Sequence, residues 1–380
     1  MGFLKTPKGK SGPFPPGLVL LLDEKGYFAK ASIRVSADGT TAFLVGYGAR
    51  WAGPNRHHKE VKTFLGAWSS TTHMSITLGI STGFAINRYP EAEDWAAIVA
   101  DELGLNTVQF TADLLNPDLP TPVVARQAAH IRAVCDAKGV RVQSAFTSQF
   151  TRVNHLMHPI PEIRRAWLNW FKRFFTIAAE LGAEGAGSHF GIMAVRDYAD
   201  AGIRERRICD AVDAWRELSE FAATLGMRYL IWEPMSVPRE IGETISAAQD
   251  IQRRCAEGFA APMRLCLDVD HGDVLSPDPR DTDPHAWLRA FAGQYPAVHI
   301  KQSLRDKGGH YPFTAAYNTH GRIVPEEILT TLRESGVNDC TLFLEISHRE
   351  RRPADESVIA DLRESAAYWR PAVETANANR

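Results

Sequence analysis

Strand-like and helix-like segments alternate from Ile76 onward, and this alternation constrains the fold more than any other feature of the chain. The strand candidates are short runs rich in aliphatic and aromatic residues: Ile76–Ser81, Thr107–Thr111, Val140–Phe146, Gly185–Phe190, Met227–Glu233, Met263–Asp270, Ala297–Lys301 and Thr341–Ile346. Helical stretches lie between them or follow the last one, among them Glu91–Leu103, Pro122–Lys138, Ile163–Leu181, Ile203–Leu225 and Ala354–Trp369. Alternating strands and helices with short loops predict a parallel sheet. Eight such repeats favour a closed (β/α)8 TIM barrel over an open sheet.

Ionisable residues stand at or near the ends of four of these strand candidates, at Glu233, Asp268, His299 and Glu345. Side chains alternate between the two faces of a strand, so Asp268 shares a face with Cys266 and opposes its aliphatic neighbours. The active sites of (β/α)8 barrels lie at the carboxyl ends of the strands, so we expect the four side chains to converge there. A buried carboxylate is costly unless it is paired or bound to metal. The pattern therefore predicts a metal site with acid–base chemistry.

The four residues offer three carboxylates and one imidazole. Such a donor set favours Mn²⁺, Mg²⁺ or Co²⁺ over a structural zinc site, which is dominated by thiolates and imidazoles. We therefore predict a divalent metal cofactor, with Mn²⁺ as the leading candidate.

Other polar residues close to the predicted carboxyl edge are candidates for contacting a substrate. His271 follows the sixth strand, and Lys301 shares a face with His299, where a cation could neutralise an enediolate or meet a phosphate. For Lys301, an ordinary lysine at a strand exit is an equally favoured alternative. His189 lies at the end of the fourth predicted strand, where a substrate contact and a packed core histidine are equally favoured. The candidates for binding an anionic group are Arg152, His155, His158, His348 and Arg349.

The overall charge points to a small-molecule partner. The 380 residues are 44% hydrophobic and carry a formal net charge of −2, so a sizeable core is expected without a general attraction for nucleic acid or anionic membrane. The sequence contains no Walker-type or G-x-G-x-x-G loop, which disfavours nucleotide and dinucleotide ligands. The sequence leaves open whether the protein is a homo-oligomer.

Cysteine usage favours a reducing, cytoplasmic setting. The five cysteines are odd in number, widely spaced and without a C-x-x-C motif, which argues against a disulfide framework. The apolar run Leu18–Leu22 meets charged residues at once and is shorter than the apolar region of a signal peptide. No apolar stretch approaches the roughly 20 residues of a membrane helix.

Residues 1–73 do not share the strand–helix alternation. They contain KTPKGKSGPFPPG, the polar run GPNRHHKEVK and two possible strands, Ala29–Val35 and Thr41–Gly46. We predict a barrel domain over 74–380 and treat 1–73 as an N-terminal extension, with Met74 as the natural start. The alternative is a small β-rich appendage packed on the barrel. The intact mass of the natively expressed protein would distinguish them.

Six stretches together with the four ionisable residues resemble a known superfamily. The stretches are GISTGFAINRYP, FTRVNHLMHP, GSHFGIM, EPMSVPRE, CLDVDH and EISHRE. They resemble the sugar phosphate isomerase/epimerase superfamily of xylose isomerase-like barrels, and within it the erythrulose-phosphate 3-epimerases of erythritol catabolism. The resemblance runs from Met74 to about Trp369. It implies that His271 contacts substrate and that the metal ligands are Glu233, Asp268, His299 and Glu345. Gln302 departs from the pattern, since many relatives have an acid there, and this puts phosphate or outer-sphere contacts in doubt.

The implied reaction is the metal-dependent 3-epimerisation of a short 2-ketose phosphate, interconverting D- and L-erythrulose 1-phosphate. One group removes the proton next to the carbonyl and another returns it on the opposite face. The resemblance assigns these roles to Glu233 and Glu345, with the divalent ion holding the enediolate. No redox cofactor is needed.

Three other activities remain open at this point. An aldose–ketose isomerase would use the same enediolate but move the carbonyl. An apurinic-site endonuclease, which the superfamily also contains, would need more metal ligands and a basic groove, and the near-neutral charge argues against it. A non-catalytic sugar-binding barrel would not require the acid pair.

Overall fold

The computed structural model describes residues 74–305 and 308–378, together with four strands nearer the amino terminus. These are β1 (Leu18–Leu22), β2 (Phe28–Val35), β3 (Ala42–Gly48) and β4 (Thr63–Trp68). They form an antiparallel sheet in the order β1-β2-β3-β4, and β2 and β3 lie where strands were predicted. The chain divides into two units between Thr72 and His73. The segments KTPKGKSGPFPPG and GPNRHHKEVK lie outside the described residues, and a start at Met74 stays a prediction.

Eight parallel strands close into a barrel, which confirms the predicted TIM-barrel fold. The strands are β5 (Ser75–Ser81), β6 (Thr107–Thr111), β7 (Arg141–Phe146), β8 (Gly185–His189), β9 (Tyr229–Glu233), β10 (Met263–Asp268), β11 (Ala297–Ile300) and, after a hairpin of β12 (Gln302–Leu304) and β13 (Gly308–Tyr311), β14 (Asp339–Leu344). The barrel closes where β14 pairs with β5, with Leu342 opposite Leu78. Strands β10 and β11 pair so that Asp268 lies opposite His299.

Helices follow the strands and cover the barrel. They are α1 (Ala92–Ala97), α2 (Thr121–Lys138), α3 (Pro161–Glu180), α4 (Val195–Ala199), α5 (Ala201–Thr224), α6 (Ile245–Arg254), α7 (Pro284–Ala290), α8 (Ala315–Asn318), α9 (Pro325–Glu334) and α10 (Ala354–Ala378). Proline occupies the first or second position of α2, α3, α7 and α9, where its missing N–H costs no hydrogen bond. Helix α2 ends at Gly139, whose φ of 67° places it in the left-handed region. Among the described residues, no helix combines the length and the apolar character needed to cross a membrane.

The barrel has two apolar layers that fix its shape. Outward-facing strand residues such as Val108, Leu267 and Leu342 join the inner faces of the helices in one large buried cluster. A smaller cluster fills the barrel interior: Phe146, Tyr229, Ile231, Cys266, Ala297 and Phe343. The interior is thus a packed core, and polar side chains at its carboxyl end stand on a solid apolar floor. All five cysteines are free.

The β12–β13 hairpin is tied to the loop that follows β10. The Asp270 carboxylate accepts hydrogen bonds from the Gly309 backbone N–H at 2.8 Å and from Arg322 Nη2 at 2.8 Å. It also accepts a hydrogen bond from the hydroxyl of Ser303. Burial raises the pKa of Asp270, but these hydrogen bonds outweigh burial and lower that pKa below its usual range. The ionised Asp270 therefore anchors the hairpin over the carboxyl end of the barrel.

Candidate metal centre and substrate cavity

The four ionisable residues at the strand ends come together in space. Glu233 ends β9, Asp268 ends β10, His299 lies in β11 and Glu345 directly follows β14. One ligand atom from each residue lies within 4.8 Å of the others. Glu233, Asp268 and His299 are buried, and Glu345 is partly exposed. We call this group the acidic cluster.

The imidazole of His299 is held from both sides. Its Nδ1 lies 2.8 Å from Glu233 Oε1 and 3.6 Å from Glu345 Oε2. Its Nε2 lies 2.7 Å from Gln109 Oε1 and 3.3 Å from Cys266 Sγ, so the Nε2–H donates to the Gln109 amide. Nδ1 is thereby directed at the carboxylates. Sequence reasoning missed Gln109, because a glutamine inside a strand 190 residues away gives no local signal.

Charges within the cluster balance one another. Burial raises the pKa of Glu233, but the neighbouring His299 and, to a smaller extent, His271 outweigh it and hold that pKa well below its usual range. Burial raises the pKa of Glu345 as well, but the charges of His299 and Lys301 outweigh burial, so the pKa of Glu345 lies well below its usual range. Burial lowers the pKa of His299, yet the neighbouring Cys266 sulfur and two carboxylates bring it well above its usual range. The cluster thus favours a positive charge at its centre.

Lys301 supplies part of that charge from a fully buried position. Its side chain has 0% exposure and forms an ion pair with Asp268. Its Nζ lies 2.6 Å from His310 Nε2 and 3.4 Å from Glu345 Oε2. Burial lowers the pKa of Lys301, but Asp268 and Glu345 raise it above its usual range, so the lysine stays charged. Lys301 therefore belongs to the base of the cluster and not to the cavity wall.

His310 is a site residue that the sequence did not indicate. It lies on β13 of the hairpin and faces the cluster, 3.5 Å from Glu345 Oε2. Asp268, His271 and His310 form a second group whose ligand atoms lie within 4.8 Å of one another. The hairpin interrupts the strand–helix alternation, and its glycines are the one sequence signal that could have revealed it.

A cavity of about 450 Å³ opens above the cluster. Five of its lining residues carry ionisable groups close to the cluster: Glu233, Glu345, His189, His271 and His310. His189 Nε2 lies 3.0 Å from Glu233 Oε2, and its Nδ1–H donates to the Arg152 carbonyl at 3.1 Å. His271 Nδ1–H donates to the Pro234 carbonyl at 3.0 Å. Both predicted histidines are thus fixed by the backbone with one ring nitrogen turned towards the carboxylates.

The predicted anion-binding residues have different locations. Arg152 lines the cavity, but its Nη2 donates to both carboxylate oxygens of Glu240 at 2.8 Å. His155 packs against His158 and Trp167, and it is not among the lining residues. Arg349 is exposed and also outside the lining. His348 lines the cavity together with Arg88, a residue that sequence reasoning did not single out.

Gln302 has a structural role that accounts for the missing acid. Its Nε2 donates to Asn318 Oδ1 at 2.9 Å and to the Ile323 carbonyl at 3.1 Å. Its Oε1 accepts from the backbone N–H groups of Ile323 at 3.0 Å and Ser303 at 3.1 Å. A buried amide can satisfy two donors and two acceptors in this way, and a carboxylate cannot. Gln302 therefore holds the loop at 318–323 and does not line the cavity.

The donor set fits a divalent metal ion. Three carboxylates and one imidazole nitrogen are the ligands that Mn²⁺ and related ions accept. They converge within 4.8 Å, all but the partly exposed Glu345 are buried, and their excess negative charge is balanced by a lysine and a histidine of the protein itself. Glu233, Asp268, His299 and Glu345 could therefore hold such an ion.

Comparisons with known proteins agree with the fold. Residues 97–372 match the family described as xylose isomerase-like TIM barrel. The chain is 42% identical over 303 residues to D-erythrulose 1-phosphate 3-epimerase of Brucella abortus (strain 2308), covering 80% of this chain and 98% of that protein.

Two solved structures extend the comparison. A protein of Rhodospirillum rubrum ATCC 11170 assigned to the xylose isomerases has a TM-score of 0.72 and 26% identity, covering 78% of this chain and 99% of that one. D-psicose 3-epimerase from Clostridium cellulolyticum H10 has a TM-score of 0.55 at 15% identity, covering 79% and 98%, and supports the fold alone. On the family match and the curated relative, the chain belongs to the xylose isomerase-like TIM barrel family.

Proposed function

We propose that this protein catalyses the metal-dependent 3-epimerisation of a short 2-ketose phosphate, interconverting D- and L-erythrulose 1-phosphate. The observation that carries the proposal is the acidic cluster, in which two glutamates and a histidine meet below a cavity of about 450 Å³. That volume lies within the usual range for small-molecule sites. The 42% identity to a D-erythrulose 1-phosphate 3-epimerase supports this choice of substrate.

Glu233, Asp268 and Glu345, with His299, are the residues proposed to hold the cofactor, and we propose Mn²⁺. A bound divalent ion would polarise the oxygens at C2 and C3 and stabilise negative charge on them. The imidazole of His299 is already fixed between Gln109 and the carboxylates, so its Nδ1 points towards the proposed metal position.

Glu233 and Glu345 are the proposed acid–base pair. They approach the cluster from β9 and from the end of β14, and β10 and β11 separate these strands in the barrel. A ketose lying between them would present the two faces of C3 to different carboxylates. One ionised glutamate removes the C3 proton and the other, protonated, delivers one to the opposite face. In the metal-free protein the lowered pKa of each glutamate keeps it ionised, so either can serve as the base, and the one that acts as the acid must first take up a proton.

His189 and His271 are proposed to position the substrate. His271 has its Nδ1–H committed to a backbone carbonyl, so its Nε2 is available at the cavity wall. His189 donates to a backbone carbonyl through Nδ1 and contacts Glu233 Oε2 through Nε2, so it would act by orienting that carboxylate. Lys301 is proposed to act indirectly, by stabilising the charge of Asp268 and Glu345. We further propose that residues 74–380 form the catalytic domain and that the protein works in the cytoplasm, which its five free cysteines suit.

The deciding experiment is isotope exchange in D₂O. The purified protein is incubated with Mn²⁺ and either enantiomer of erythrulose 1-phosphate, with Glu345→Gln as the inactive comparison. Deuterium at C3 with loss of chirality supports the epimerase. A parallel incubation with free erythrulose, whose C1 hydroxyl is unblocked, tests the second candidate, an aldose–ketose isomerase, which the likeness to the R. rubrum protein suggests. Deuterium at C1 of free erythrulose with an aldose product would identify that isomerase, and no exchange in either sugar contradicts both.

A further inference from the structure

The cavity has a second polar region, on the loops that follow β5 and β7. Ser81 ends β5, Gly83 and Arg88 lie in the segment that follows it, and Ser148 lies in the loop after β7; all four line the cavity. None of them belongs to the acidic cluster. We call these four residues the hydroxyl–arginine region.

Gly83 leaves room between two hydroxyl groups. A Cβ at this position would lie 3.3 Å from Ser148 Oγ and 3.4 Å from Ser81 Oγ. Both distances are tight for a carbon, so the two hydroxyls converge on the place where a side chain would be. With glycine, that place is open to the cavity.

Both hydroxyls have a hydrogen available for a ligand. Ser81 Oγ accepts a hydrogen bond from the Gly83 N–H at 3.3 Å, which leaves its own hydrogen unused. Across the described part of the chain, neither Ser81 nor Ser148 donates a hydroxyl hydrogen bond. A hydroxyl donates one hydrogen, so the pair offers two donors to an acceptor in the cavity.

Arg88 adds positive charge to the same region. Its side chain is only 10% exposed, and Nε donates to Asp355 Oδ1 at 2.5 Å. Nη2 donates to the His348 carbonyl at 3.0 Å, and Nη1 to the Phe84 carbonyl at 3.5 Å. A guanidinium has five N–H donors, so one hydrogen on each Nη remains for a ligand. The three contacts also fix the guanidinium in place before a ligand arrives.

We propose that Ser81, Ser148 and Arg88 bind the phosphate group of the substrate in the space that Gly83 leaves open. A phosphate monoester offers three acceptor oxygens and negative charge, which matches two hydroxyls and a fixed guanidinium. This inference rests on the proposed function, because the phosphate belongs to the same ketose.

The position of the region suits such a ligand. Leu344 pairs with Ile80, so Ser81 and Glu345 end neighbouring strands. A phosphate held at Ser81 would therefore lie beside the acidic cluster, at the distance of an adjacent strand. Arg152, by comparison, has its terminal nitrogen shared between both oxygens of Glu240.

The test measures phosphate binding directly, with inorganic phosphate titrated calorimetrically into the Mn²⁺-loaded protein. The variants are Gly83→Ala, Ser148→Ala and Arg88→Gln, and the control is Arg333→Gln on the exposed end of α9. Each of the three is expected to weaken phosphate binding by about 10- to 100-fold, since hydrogen bonds to a charged group are lost or blocked. The control should bind like the native protein.

A second readout separates this inference from the proposed function. The ratio of kcat/KM for erythrulose 1-phosphate to that for free erythrulose should fall by a similar factor in the three variants. Native protein that binds no phosphate, or variants that lose activity on both sugars equally, would overturn the inference while C3 exchange still stands. Thermal melts identify any variant that fails to fold, and Ser148→Ala, a one-atom deletion on a partly exposed loop, then decides.

Discussion

The acidic cluster and the hydroxyl–arginine region line the same cavity but are built in different ways. Strand ends supply the cluster, and its charged groups are mutually paired. The end of β5 and the segments after β5 and β7 supply the other region, and its donors are only partly used. A paired, buried group is rigid and costly to change, whereas loop residues with spare donors can be altered at little cost to the fold. In the proposed reaction, the residues at the ends of β9 and β14 would carry the proton transfers, and the hydroxyl–arginine region would recognise the phosphate.

The largest expected effect is the loss of unfolding free energy when a charged residue of the acidic cluster's surroundings is removed. In Lys301→Met, the carboxylates of Asp268 and Glu345 lose a fully buried counter-charge. The metal-free protein should lose about 3–5 kcal/mol of unfolding free energy, as broken buried ion pairs do. Urea unfolding with and without Mn²⁺ measures this, and the ion should restore part of the loss. An unchanged midpoint would mean that the cluster is less tightly coupled than described.

Removing an acid–base group should affect turnover more than folding. Glu345→Gln keeps the shape of the side chain but cannot take a proton, so kcat should fall by about 10²- to 10⁴-fold. Steady-state kinetics with measured metal content checks this, and Arg333→Gln serves as the surface control. Full activity in Glu345→Gln would remove this residue from the acid–base pair.

Loss of the hydrogen bond behind His299 should weaken metal binding. Gln109→Leu removes the acceptor that holds Nε2–H and leaves the imidazole free to rotate. Mn²⁺ affinity is expected to drop by about 10- to 100-fold, the usual effect of deleting such an outer partner. Electron paramagnetic resonance titration measures the free ion. Equal affinity in the variant and the native protein would show that the barrel packing alone orients the ring.

Introducing an acid at position 302 should destabilise this chain. In Gln302→Glu, a carboxylate oxygen replaces the amide nitrogen that donates to Asn318 and to the Ile323 carbonyl. About 1–3 kcal/mol of stability should be lost because buried acceptors go unsatisfied. Thermal or urea unfolding measures it, with epimerisation followed in parallel. A more stable variant would contradict the structural role given to Gln302.

The smallest expected effect is the change of Mn²⁺ affinity with pH. The pKa of His299 is raised in the metal-free protein, so a proton occupies Nδ1 below that pKa and competes with the ion. Mn²⁺ affinity should rise about tenfold per pH unit until the pKa is passed.

The unfolding free energy of the metal-free protein should also change with pH, because His299 and the two glutamates titrate differently in the folded and unfolded chain. The contribution of the raised His299 pKa is present at low pH and is lost as pH rises through that pKa. The contribution of the lowered Glu233 and Glu345 pKa values is present above their ordinary range and is lost on acidification. Thermal melts across pH in a chelator would check both limits.

The local pattern of residues was sufficient to predict most of the strands and helices of the barrel. The predicted strand Thr107–Thr111 has the observed bounds, because its β-branched and aromatic residues favour a strand. The predicted Met263–Asp270 is longer than the observed strand, which ends at Asp268 where the chain turns towards the hairpin. The predicted helix Glu91–Leu103 is α1 followed by a π-helical turn at Ile98–Glu102. Hydrophobic periodicity does not report such a change in hydrogen bonding.

The sequence by itself determined the alternation of strands and helices and the placement of Glu233, Asp268, His299 and Glu345 at the strand ends, because both depend on residue order along single strands. Only the tertiary structure decided that Gln109 and His310 approach His299 and Glu345, that Lys301 is buried beneath the cavity, and that Arg88 lines it. Those contacts join residues from distant strands or from the hairpin. They exist only once the barrel closes, and no local pattern encodes which side chains then face one another.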